Sequence, residues 1–191
     1  DANALMAPEL PVFMLDQTRL FSETGQAWTG RFRSADPAAD MKIMLAWTDA
    51  PGHGLGGGLP AWVNDLDLIV HTETGTYYGN GFGPDGYSNL GANPDVRNNL
   101  EGAVLRAGQH GATEVRVEVL AANLAADALD PWNPQGPGQD FALVCSNCEP
   151  APDFSLSISP QSIKTCLEDS PPSAQIAVRS LLGFSEPVGV S

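Results

Sequence analysis

Oxygen donors recur in three short segments of this chain. Asp65 and Asp67 stand two apart in "VNDLDLIVH", Asp49 closes "MLAWTDA", and Asp95, Asn98, Asn99 and Glu101 crowd into "NPDVRNNLE". Carboxylate and amide oxygens suit a hard cation, and calcium (Ca2+), which takes about six to eight oxygen ligands in irregular geometry, is the expected ion. The run "DLDLIVHTETG" lacks the ligand spacing of an EF-hand loop, so the site is expected to be composite, with Asp49, Asp65, Asp67, Asn98 and Glu101 as its ligands. Burying several carboxylates together without a cation would raise their pKa values and cost stability.

Other readings of the same residues stay open. Asp65 and Asp67 also fit a solvated strand face, with the asparagines building turns. They fit, too, the paired carboxylates of a glycosidase, for which Trp47, Trp62, Tyr77, Tyr78 and Trp132 offer either sugar-facing rings or core packing. Peptide-bond hydrolysis by a serine nucleophile is not expected, because none of the motifs that carry an Asp, a His and a Ser in such enzymes is present. His53, His71 and His110 lie far apart in the sequence and are expected at the surface.

The elements that must position these residues read as strands. In an extended chain Asp65 and Asp67 share one face while Leu66, Leu68 and Val70 share the other. Period-two alternation recurs in "MKIMLAW" and "TEVRVEVL", the second read as a strand through Leu120 followed by an Ala-rich loop or short helical turn. Further strands are expected around Val12 to Leu15, at Ala27 to Arg33 after a Thr24-Gly25 turn, in "TYYGN" across a turn at Glu73 to Gly75, in "GAVLRA", and around Phe141 to Val144. The glycines from Gly52 to Gly58 read as a flexible loop. Seven to nine short strands, with 20 glycines and 16 prolines spread between them, predict an all-β fold: an antiparallel β-sandwich or jelly roll over residues 1–148. Residues 149–191 read as a Pro-rich linker and a short β tail, too few for an independent sandwich, either part of a second module or docked on the first.

Composition narrows the partners. With 9 Lys and Arg against 23 Asp and Glu, the net charge is −14, so neither nucleic acid nor an anionic membrane is an expected partner. No run reaches the roughly 18 apolar residues of a membrane-spanning helix.

Taken together and in this order, "LAWTDAPG", "LPAWVNDLDLIV", "TYYGN" and "RNNLEGAVL" resemble the β-sandwich that follows the catalytic domain in a group of secreted subtilisin-like serine proteases. The resemblance runs over about residues 8 to 145, and those sandwiches are similar to the P domains of proprotein convertases. It implies a non-catalytic accessory domain that is secreted, binds calcium, packs on the catalytic subtilase domain of the same polypeptide and stabilises it, with an influence on substrate access. An independent carbohydrate-binding or adhesive module is the alternative. The chain departs from the pattern in its Gly-rich "HGLGGG" and in Cys145-Ser-Asn-Cys148; the tail from Asp153 resembles the start of an Ig-like module. In an exported protein the cysteines are expected in a disulfide, either Cys145 with Cys148 or one of them with Cys166.

Overall fold

The computed structural model describes residues 9–52, 62–110, 114–132, 134–159 and 175–181. It divides into two units, Asp1–Pro150 and Ala151–Ser191. The first contains β1 (Val12–Phe21), β2 (Ala27–Ser34), β3 (Met41–Ala46), β4 (Asp65–Thr72), β5 (Gly75–Phe82), β6 (Ser88–Leu90), β7 (Leu100–Leu105), β8 (Val115–Asn123), β9 (Gln139–Ser146) and β10 (Cys148–Pro150). Among the described residues there is no helix.

Two antiparallel sheets pack face to face. One runs β1-β9-β3-β7 and the other β10-β2-β8-β4-β5-β6. The chain crosses between sheets at nearly every step, from β1 to β2 to β3 to β4, and again from β7 to β8 to β9. With β10 and β6 set aside, this is the double Greek key of a jelly roll. Alternation places the core as expected: Met41, Ile43 and Leu45 of β3 face Val115, Val117, Val119 and Ala121 of β8, all buried. Phe32, Phe13, Trp28, Phe141 and Phe21 pack ring against ring in a row along β1, with centroids 4.8 to 6.3 Å apart, where aromatic pairs add to simple burial.

Several elements exceed their sequence signals. β1 continues past Leu15 to Phe21 through a register shift between Asp16 and Leu20. β8 runs three residues past Leu120, because Ala121 pairs with Leu66 and Asn123 with Asp65. β6 and β10 have three residues each, too short to carry a period. Pro150, expected in a linker, instead sits in β10 opposite Phe32, on an edge strand where its missing N–H interrupts no ladder.

The second unit holds one described hairpin, β11 (Asp153–Ser159) paired antiparallel with β12 (Gln175–Leu181). The glycine loop, His53 and Cys166 lie outside the described residues.

Candidate functional site

The acidic site forms where β4 and β5 part company. Their ladder runs from Thr72 opposite Gly75 only as far as Ile69 opposite Tyr78. Beyond it Asn80, in the left-handed region at φ 58°, turns β5 toward β7. The Asn80 side chain then substitutes for a neighbouring strand, accepting from Gly102 N at 3.0 Å and donating to Leu100 O at 2.9 Å. Ser88 Oγ accepts from Val104 N further along the same edge. Glu101 reaches into the opening between β4 and β5, where its Oε2 accepts from Leu68 N at 2.7 Å. Only glycine fits at 79, because a Cβ there would stand 2.1 Å from Glu101 Oε2.

This arrangement buries carboxylates together. Asp65, Asp67 and Glu101 are 6%, 6% and 0% exposed; a solvated strand face is therefore not what the sequence encodes. Asp67 Oδ1 and Glu101 Oε1 are buried and accept no hydrogen bond among the described residues. Burial, opposed by the Leu68 bond and reinforced by Asp67, Asp95 and Asp65, pushes the Glu101 pKa up to about 8. Burial followed by the charges of Asp65 and Asp95 raises Asp67 to about 6. Asp65 is raised as well, by burial and then by Asp95 and Asp49. Burial also opposes ionisation of Asp95, but hydrogen bonds from Asn80, Asn98 and the Arg97 backbone outweigh it and lower its pKa.

The five residues expected as ligands take different roles. Asp65 and Asp67 are buried near enough to Glu101 for their charges to act on it. Asp49 stands near Asp65, yet its carboxylate accepts from the backbone N–H groups of Ala50, Val63 and Asn64 at 2.6 to 2.9 Å, which pins the start of β4 to the end of β3. Asn98 is exposed and donates to Asp95 Oδ2 at 2.5 Å, so it acts on the neighbouring carboxylate. Among the described residues no three His, Cys, Asp or Glu side chains form a ready-made cage for a metal.

Residues the sequence left as scaffold prove indispensable to the geometry. Asn99 donates to Trp47 O at 3.1 Å, and its own carbonyl accepts from Trp47 N. Fully buried Asn64 accepts from Ala125 N and Ala126 N and donates to Gln139 Oε1. Asn80, which closes the "TYYGN" segment but has no role of its own in the sequence reading, holds both the β7 edge and Asp95.

The two described histidines do not converge. His71 is half-buried on the outer face of β4, with Thr76 Oγ1 and Glu118 Oε2 at 3.2 and 3.3 Å. His110 is not at the surface as expected: it is buried because its Nε2 bonds Ala39 O at 3.0 Å. Of the aromatics, Trp47 and Tyr77 are core, whereas Trp132 is 88% exposed. Trp132 lines a cavity of about 580 Å3 with Ala50, Ala125, Pro131, Pro134 and Pro137. Cys145 and Cys148 form a disulfide.

The fold and site define an all-β sandwich with a buried acidic cluster at a split in one sheet. No protein-family model matches this chain, and no curated protein matches it.

Proposed function

We propose that this chain is a non-catalytic β-sandwich module that binds calcium, acting as the accessory domain of a secreted subtilisin-like serine protease. The observation that carries the calcium reading is the pair of buried, unpartnered oxygens on Asp67 and Glu101. Two carboxylates held this way are destabilising when ionised and become ligands when a cation neutralises them. Asp65 is the third donor, while Asp49 and Asn98 set the backbone and Asp95 beside them. When bound, the ion supplies positive charge that lets the site ionise, and it ties β4 to β7 across the two sheets.

The protease reading draws its support from the motifs. "WTDAP", "VNDLDL", "YYGN" and "RNNLEG", separate in sequence, are bonded to one another here: Asp49 to Val63 and Asn64, Trp47 to Asn99, Asn80 to Gly102, and Glu101 to Leu68. Segments that resemble one family and meet at one site are expected to serve one purpose.

A folded-state ligand raises stability by RT ln(1 + [L]/Kd), about 2.7 kcal/mol at a hundredfold excess over Kd, or a shift of several degrees in melting temperature. Calcium in place of chelator should give that rise in the wild-type chain and in Asp36→Ala. Asp65→Ala should lose most of it, and magnesium, which demands a tighter octahedron, should give far less. Identical melting with calcium and with chelator would sink the proposal. The second reading, a carbohydrate-binding module, rests on exposed Trp132 beside its cavity; glycan-array binding lost in Trp132→Ala is its test.

A further inference from the structure

The two outer faces of the sandwich differ in chemistry. On the six-stranded sheet the register aligns Arg31, Arg116 and His71 in one row and Thr29, Glu118, Ile69 and Tyr78 in the next. Ion pairs of Arg31 with Glu114 and of Arg116 with Glu118, and the contact of His71 with Glu118, cover that face. It is built for water.

The four-stranded sheet is not. Its register places Met14, Val144, Met44 and Gly102 in one row across all four strands, and Phe82 lies against Gly102 at the end of the row. The next row reads Asp16, Ala142, Ala46 and Leu100. Met14, Met44, Phe82 and Leu100 are 68%, 40%, 42% and 52% exposed. Strand and row spacings give the apolar area as roughly 300 Å2, within the range where a patch on a monomer is often functional. Methionine and aromatic side chains are the types enriched at protein interfaces.

Three observations select the occupant. The sheet's edges are closed to strand addition: β1 carries a bulge with Gln17 at φ 48°, and the side chains of Asn80 and Ser88 fill the β7 edge. A second copy is disfavoured, since each chain carries −14 and two such chains would bring like charges together across the contact. The charges bordering the apolar rows are mostly acidic, with Asp16 and Asp140 together at one end and Lys42 at the other.

We propose that this face, centred on Met14, Val144, Met44 and Phe82, docks a second protein domain whose contact surface is apolar at its centre and rimmed by Lys or Arg opposite Asp16 and Asp140. The docking stands whether or not that domain is a protease, and it does not require calcium.

Methionine-methyl NMR tests it on the full chain. Two amphipathic helical peptides with the same leucine spacing serve as probes, one with lysine and one with glutamate on the polar face. The Met14 and Met44 signals should shift saturably with the lysine peptide while buried Met41 stays put. Affinity should fall with salt, drop at least tenfold for the glutamate peptide, and drop at least tenfold in Met44→Asp with the Met41 signal unchanged. Equal response to both peptides, binding that leaves Met14 and Met44 unmoved, or concentration-dependent shifts of the chain alone with a dimer in sedimentation would overturn it. So would shifts seen only with phosphatidylcholine vesicles.

Discussion

Glu101 is the residue on which the acidic site turns. It belongs to the inward face of β7, where its neighbours Ala103 and Leu105 pack in the core, and it reaches the backbone of the opposite sheet at Leu68. A carboxyl whose folded pKa lies above its unfolded value stabilises the fold when protonated, fully below the unfolded pKa, and that contribution is lost as pH rises through the folded pKa. For Glu101 the window runs from its ordinary value of 4.5 to about 8, and for Asp67 from 3.8 to about 6. The metal-free chain should therefore lose melting temperature steadily from pH 5 to pH 8. Glu101→Gln removes the ionisation while keeping an acceptor for Leu68 N, so without metal it should melt several degrees above wild type at pH 8 and equal it near pH 4.5. A wild-type chain that gains stability over that range would show that the site ionises without penalty.

Elements, rather than residues, create the opening that Glu101 fills. β5 leaves β4 after Tyr78, and at Gly79 a Cβ would meet the Glu101 side chain. Gly79→Ala should destabilise by about 2 kcal/mol or more, the range for overpacking a filled site. Combined with Glu101→Ala, its effect should shrink by at least about 1 kcal/mol, as expected for residues in contact; strict additivity in denaturant melts would mean the two do not meet. The strands themselves were legible. Met41, Ile43 and Leu45, and Val115, Val117 and Val119, alternate so strictly that the buried face of each strand followed from the sequence. Illegible were the split and the three-residue strands, because a ladder that stops at Ile69 and Tyr78 is decided by tertiary bonding from Asn80 and not by any local propensity. The acidic residues were legible as a group, since Asp65 and Asp67 interrupt an apolar strand. Their division of labour was not: Asp49 and Asn98 carry the same oxygens as Asp65, and only their partners, backbone N–H groups and Asp95, mark them as supports.

At the scale of the whole molecule the net charge of −14 and the buried cluster point the same way. Excess negative charge disfavours the compact state through self-repulsion, and a bound divalent cation would relieve it at the buried carboxylates. The core, with its alternating strands and row of aromatic rings, holds the sandwich; the ion would fasten β4 to β7. Because ligands must be deprotonated, binding releases the protons that burial retains. Calorimetric titration of calcium into the metal-free chain at pH 7, repeated in buffers of different ionisation enthalpy, reads affinity, stoichiometry and proton release together. The expected result is saturable binding with release of close to one proton, mainly from Glu101, and loss of that release in Glu101→Gln. Absence of binding heat in every buffer, or binding unaltered in Glu101→Gln and Asp67→Asn, would contradict it.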